Sequence, residues 1–262
     1  SSDLVFAATY VFLFYVFFES MLVPVYFLIG GYGTGERAQA AVKFYSRFVK
    51  GNLHQTNSRT AEMTKLVENA YRDVNIAFAN ELSVICEESG INVNELIRLA
   101  SKHPRVKILQ PGPGVGGHCI AVDPWFIATA FPEQAKIIRL AREVNTAKTK
   151  WVINKIKQEV VKFEKKMKRK PVVACMGLTY KADIDDLRES PALEIFESLK
   201  ESKLSVLAVE PNIREHKKLS ITDTVDALKQ ADILVFLVNH KEFSSLTING
   251  KIILDFCGIN TK

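Results

Sequence analysis

The chain has 262 residues, 47% of them apolar and 24% charged, with a formal net charge of +6. It is long enough for two folded domains and too apolar for a disordered or fibrous chain. The positive charge suits an anionic small ligand, whereas the basic run Lys165, Lys166, Lys168, Arg169, Lys170 lacks the interleaved aromatics of a nucleic-acid surface and reads as a solvated helix end.

Residues 4–18 and 21–29 are apolar runs separated by Glu19 and Ser20. The first is shorter than the ~20 residues of a membrane span, the two join only if Glu19 is buried, and no basic region marks a signal peptide. Segment 1–35 therefore keeps three readings: membrane contact through residues 4–29, a pair of buried strands, or a segment foreign to the rest of the chain. The glycines from Gly30 to Gly35 read as a turn into a helix over about 36–49. A long helix is expected over 61–88, opened by Thr60 and stopped by Gly90, with Leu66, Ala70, Val74, Ala77, Phe78, Leu82 and Ile85 as its buried stripe. Lys65, Asn69 and Asp73 recur four apart on an adjacent face, which is either an exposed polar row or one side of a cleft. The next helix is short, from Asn94 to about Ser101. Residues 133–169, free of Pro and Gly after Pro132, read as one very long helix or two joined end to end, packed between domains or against a second subunit.

Between these helices lies the run from Gln110 to Pro124, Gln-Pro-Gly-Pro-Gly-Val-Gly-Gly-His-Cys-Ile-Ala-Val-Asp-Pro. Four glycines let the backbone approach a neighbour closely, and the cysteine just after them has a carboxylate four residues on. Cys119 is either a nucleophile with a polar helper or a buried thiol behind a tight turn. Gly112 to Gly117 match the literal G-x-G-x-x-G pattern, but the next residues, β-branched and ending in Asp-Pro, are not expected to start a helix, so a dinucleotide loop is rejected here. The four cysteines show no C-x-x-C spacing, which predicts neither a metal site nor disulfides, and Cys175 and Cys257 read as reduced core thiols of a cytoplasmic protein.

From Lys170 the pattern changes. Short apolar strands at 171–176, 205–209, 233–238 and 252–256 alternate with helices at about 191–201 and 223–230, predicting a parallel sheet covered on both faces. Ser190 and Pro191 suit the first turn of a helix, and the charged stretch 177–189 before them is longer than a strand-to-helix connection needs, which favours ligand binding through Lys181 and Arg188.

Four motifs in this order, Glu62 to Asn69, His103-Pro104-Arg105, Gly116 to Pro124 and Tyr180 to Pro191, together resemble the UDP-glucose/GDP-mannose dehydrogenase family. Within it, the His118-Cys119 variant running to Trp125 is most similar to members acting on UDP-N-acetyl-D-mannosamine. The resemblance implies an α/β protein: a helical central domain over 36–150 that forms a homodimer, a linker helix over 151–170 and a Rossmann-like UDP-binding domain over 171–262. It also implies a four-electron oxidation of the sugar C6 alcohol to the uronate with NAD as cofactor. Carried over by position, Cys119 is the nucleophile that forms a thiohemiacetal and then a thioester; Lys65 and Asn69 stabilise oxygen charge and order water, and Asp123 assists proton transfer. Arg105, Gly114, Gly116, Gly117, His118 and Lys181 contact the UDP-sugar, Arg105 from a neighbouring subunit, and Arg188 contacts the cofactor. The NAD fingerprint that opens such enzymes has no counterpart in residues 1–29, so most of that domain is expected to be missing. The alternative is a UDP-sugar-binding or dimerising module without catalysis.

Overall fold

The computed structural model describes residues 56–213 and 219–259, with positions 43, 46–48, 50, 51, 54, 216 and 217 besides. The expected apolar segment 1–35 lies outside the described residues, as does most of the helix expected at 36–49. The chain divides into a unit up to Glu62, of which few residues are described, and a unit from Met63 onward that holds the four strands and nearly all of the helical structure.

Six α helices and four strands are described: α1 (Ser58–Ser89), α2 (Val93–Ala100), α3 (Asp123–Ala130), α4 (Lys136–Met167), β1 (Val172–Met176), α5 (Pro191–Glu201), β2 (Ser205–Val209), α6 (Thr224–Gln230), β3 (Ile233–Phe236) and β4 (Ile252–Asp255). The helix start expected at Thr60 lies slightly earlier: Asn57 Oδ1 accepts the Thr60 N–H at 2.9 Å. At the other end Gly90 takes φ +69, a left-handed conformation that glycine adopts without strain. Asn92, not Asn94, caps α2, accepting the Glu95 N–H. The 133–169 stretch holds one long helix, α4.

The expected buried stripe of α1 needs correction. Ala70 and Ala77 are buried, but Phe78 and Ile85 are exposed, and the adjacent polar face turns inward, with Asn69, Asp73 and Asn80 buried. The reason lies across the interface. The first half of α4 presents Arg142, Asn145, Lys148 and Thr149, so polar groups of the two helices bond across the seam, Asn80 with Asn145, Asp73 with Arg142 and Asn145, and Lys148 with Ser83.

The buried face of the second half of α4 is apolar. Its Val152, Ile156, Val160 and Phe163 cover one face of the sheet together with Ile195, Phe196 and Leu199 of α5, meeting Val173, Cys175 and Val235. The other face carries Ala174, Met176, Leu234 and Phe236 under Ala227 of α6 and Phe243. Residues alternate between the faces along each strand, as the period of two requires. All neighbours pair in parallel, in the order β2-β1-β3-β4. Burial holds the Cys175 thiol protonated, its pKa pushed up to about 12, and raises that of Cys257 as well.

Lys148 lies within the polar interface of α1 and α4. Its amine donates to Ser83 Oγ at 2.7 Å and sits 3.9 Å from the centroid of the Trp151 ring. Burial lowers its pKa to about 8 from the usual 10.5. Between those values the unfolded chain binds a proton that the folded chain has released, so this residue makes stability rise with pH across that window. The rise is up to about 3 kcal/mol. Urea denaturation at pH 7.5, 8.5 and 9.5 is expected to show it in the wild type and not in Lys148→Met; parallel pH profiles for the two would remove the effect from Lys148.

Candidate active site

Two segments build the site: the glycine-rich loop between α2 and α3, and the stretch between β1 and α5. Cys119 ends the glycine run and is partly buried. Its carbonyl accepts the N–H groups of Val122 at 3.1 Å and Asp123 at 2.8 Å, and this turn opens α3 with Pro124 in its first turn. The expectation that no helix starts here is therefore wrong: proline lacks the N–H that a first turn leaves unpaired anyway. The dinucleotide reading fails for a different reason, since among the described residues no strand precedes the glycines.

Asp123 reaches back to α1, where Asn69 Nδ2 donates to its carboxylate at 2.5 Å. Asn69, Asp123 and Cys119 are thus brought together by one side-chain contact and one turn of backbone. Lys65 stands one helical turn before Asn69, but its ammonium is exposed and pairs with Glu68 at 3.5 Å. Arg105, His118 and Lys181 are exposed as well.

The stretch 180–191 packs on the glycines. A Cβ at Gly116 would collide with the Glu189 carbonyl and come within 2.7 Å of Pro191, and one at Gly117 would meet the Tyr180 ring at 2.9 Å. These contacts explain the glycines: the two segments approach backbone to backbone, leaving no room for side chains. Gly114 has Thr149 Oγ1 at 2.5 Å from the corresponding point. The packed stretch is tied internally, with the Arg188 guanidinium held by Asp186 at 2.6–3.0 Å. That pairing raises the pKa of Arg188 and lowers that of Asp186, and Arg188 lies within electrostatic reach of Tyr180 and Cys119. A cleft of about 510 Å³ opens beside the loop, lined by Val122, Trp125, Arg142, Thr149, Pro191 and Glu194 among others.

The residues that anchor the glycine loop escape a search of α1 for apolar periodicity. Asn80 accepts the Gly112 N–H at 2.8 Å and donates to Asn145 at 2.9 Å; Asn145 donates to Asp73, which Arg142 meets at 2.6 Å. Thr149 donates to the Pro113 carbonyl at 2.9 Å. A signal exists in the polar residues themselves: Asn69, Asp73 and Asn80 recur at 4 and 7, and Arg142, Asn145 and Thr149 at 3 and 4, each set on one helix face.

The sheet's own crevice, at the carboxyl ends of β1 and β3 where the strand order reverses, is where a doubly wound sheet would take a dinucleotide. Here it is filled. Glu210, just past β2, accepts the N–H groups of Leu178 and Thr179 at 2.8 and 3.2 Å and is fully buried beside His240. His240 Nδ1 accepts the Asp183 N–H at 3.0 Å, which leaves the proton on Nε2, 3.1 Å from Glu210. Burial alone would raise the Glu210 pKa, but the hydrogen bonds from His240, Leu178 and Asn212 outweigh it and hold the carboxyl below its usual range. The carboxylate that would meet an adenosine ribose is spent on the protein itself, so the described sheet does not fit NAD. Asp183, His240 and Glu242 lie close enough to suggest a cation site, yet the His240 Nδ1 lone pair already faces the Asp183 N–H and Asn212.

Comparison with known proteins bears on the same two segments. The sequence profile of the UDP-glucose/GDP-mannose dehydrogenase family, central domain, matches residues 59–147, and that of the same family's UDP binding domain matches residues 174–262. The chain is 52% identical over 240 residues to an NDP-N-acetyl-D-galactosaminuronic acid dehydrogenase of Ralstonia solanacearum, covering 88% of this chain and 55% of the relative. It is 54% identical over 232 residues to the UDP-N-acetyl-D-mannosamine dehydrogenase of Escherichia coli K12, covering 85% and 54%. Among solved structures, the UDP-D-ManNAc dehydrogenase of Pyrococcus horikoshii superposes with a TM-score of 0.73 at 38% identity, over 85% of this chain and 54% of that one. The chain spans about half the length of the curated relatives it matches.

Proposed function

The chain belongs to the UDP-glucose/GDP-mannose dehydrogenase family, and from that membership we propose that it carries the substrate half of a cytoplasmic nucleotide-sugar 6-dehydrogenase, oxidising the C6 alcohol of a UDP-sugar to the uronate. The observation that supports this reading is that Asn69 holds the Asp123 carboxylate one backbone turn from Cys119, just past the glycines that pack against 180–191. UDP-N-acetyl-D-mannosamine is the substrate the relatives' names favour.

In this reading the Cys119 thiolate adds to the carbonyl carbon of the C6 aldehyde, forming a C–S bond while the oxygen takes a proton. Oxidation of that adduct leaves a thioester, and water releases the carboxylate and returns the thiol. NAD, the cofactor that the family membership implies, would supply the hydride acceptor, and the crevice of the described sheet does not fit it. Asn69 holds Asp123 so that its carboxylate serves proton transfer, and Lys65, one turn along the same face, places positive charge near the C6 oxygen. Arg105, His118 and Lys181, all exposed, serve the nucleotide, with Gly114, Gly116 and Gly117 giving it backbone contacts. Arg188, ordered by Asp186, would contact the cofactor. The exposed apolar residues Val67, Tyr71, Phe126, Ile137 and Leu140 support a homodimer through the central helices.

Calorimetric titration of the chain is expected to show heat with UDP and none with NAD+. A chain silent toward UDP defeats the proposal. The lack of fit between the described sheet and NAD favours a second reading, a UDP-sugar-binding module without turnover, which keeps the UDP heat but forms no covalent adduct between Cys119 and a UDP-sugar aldehyde.

A further inference from the structure

We propose that Asn80 and Thr149 are positioning residues that set where the Cys119 thiol stands relative to the bound nucleotide. The inference rests on the reading of Cys119 as the nucleophile of a UDP-sugar site and deepens it.

Side chains of α1 and α4 grip the segment that delivers Cys119. At its far end the hold is Asn69 on Asp123. At its near end it is Asn80 on the Gly112 N–H and Thr149 on the Pro113 carbonyl, a donor and an acceptor on consecutive residues gripped from two different helices.

The direction of the Asn80 carboxamide follows from chemistry alone. The Asp73 carboxylate, paired with Arg142, can only accept, so Asn145 must turn its Nδ2 toward it, at 2.8 Å. Asn145 Oδ1 then faces Asn80, whose Nδ2 donates to it at 2.9 Å, and Asn80 Oδ1 is left pointing at the Gly112 N–H. All three side chains are buried, with Asp73 and Asn80 fully so. The relay thus fixes an acceptor, seven residues from the thiol, at a point no other described group supplies. Thr149 fixes the adjoining residues twice, by its bond to Pro113 and by standing against Gly114, whose φ of +153 lets the chain pass.

The test measures position rather than stability. UDP bearing a chloroacetamide in place of the sugar and plain chloroacetamide are each reacted with the chain, and Cys119 alkylation is followed by peptide mass spectrometry. The ratio of the two rates is an effective molarity that reports how well the nucleotide site and the thiol are aligned. Asn80→Ala and Thr149→Val are expected to lower that ratio roughly tenfold, the size of one lost hydrogen bond or slightly more. Thr149→Ser, which keeps the hydroxyl, is expected to restore it. Glu87→Gln, which removes the ion-pair partner of Lys155 between the same two helices, should leave the ratio unchanged.

An unchanged ratio in Thr149→Val overturns the proposal even if Asn80→Ala does not fold, and so does an equal fall in Glu87→Gln. If the wild-type chain shows no advantage for the UDP-linked reagent, the nucleotide-site reading fails and this inference with it.

Discussion

Cys119→Ser, introduced into a form of the protein that also carries a nicotinamide-nucleotide-binding domain, is expected to lower uronate formation by on the order of 10³-fold or more. A serine hydroxyl is un-ionised at neutral pH and cannot replace a thiolate as the covalent handle. The first oxidation does not need the thiol, so the variant should still consume UDP-sugar and accumulate the C6 aldehyde, giving one reduced cofactor per sugar rather than two. Mass spectrometry of the products together with NADH stoichiometry distinguishes the cases. Full uronate yield from the variant would refute the nucleophile assignment, whereas loss of both products would mean that the substitution disturbed binding. The other thiols cannot substitute: Cys86 and Cys175 are buried, and burial holds the Cys175 and Cys257 thiols protonated.

Much of the fold is legible in the sequence because its signals are local. The strand-helix alternation after Lys170, the Ser190 cap that accepts the Leu193 N–H and the Gly90 stop each depend on a few neighbouring residues. The site is legible in part. The glycines announce a place of close approach, but what approaches them, Tyr180, Glu189 and Pro191, lies more than sixty residues away, and no spacing along the chain encodes it. Helix α1 misleads for a physical reason of the same kind. An amphipathic pattern assumes that burial means apolar contact, and that assumption sends Phe78 and Ile85 inward; the actual partner face offers Arg142 and Asn145, so Asp73 and Asn80 go inside and Phe78 stays out. A polar seam is invisible until both of its faces are known. The charged stretch 177–189 suggests binding through Lys181 and Arg188, yet part of its charge serves internal order, with Arg188 on Asp186 and the Asp183 carboxylate on the Lys241 N–H.

The polar seam carries the second large expected effect. Arg142→Met removes the charge partner of a fully buried carboxylate, leaving Asp73 with the Asn145 amide as its neutral partner. Breaking such a pair from one side costs about 3–5 kcal/mol, because the remaining charge keeps its desolvation penalty and loses the compensating cation. Burial already raises the Asp73 pKa, against the opposing pull of Arg142. Without Arg142 it must rise further, so the folded variant binds a proton that the unfolded chain releases. A group whose folded pKa lies above its unfolded value contributes stability that is present at low pH and lost as pH rises. The penalty in Arg142→Met should therefore shrink toward pH 5 and be largest near pH 8, as read by urea denaturation at both. Replacing both partners, Arg142→Met with Asp73→Leu, is expected to recover most of the loss, since two apolar groups leave no charge stranded. The double variant separates two roles of the seam. It restores stability while removing the carboxylate that orients Asn145 and hence Asn80, so the alignment of the Cys119 loop should stay impaired although the fold is sound. A penalty below about 1 kcal/mol that is flat with pH would show that water reaches the pair and that Asp73 does not anchor the relay.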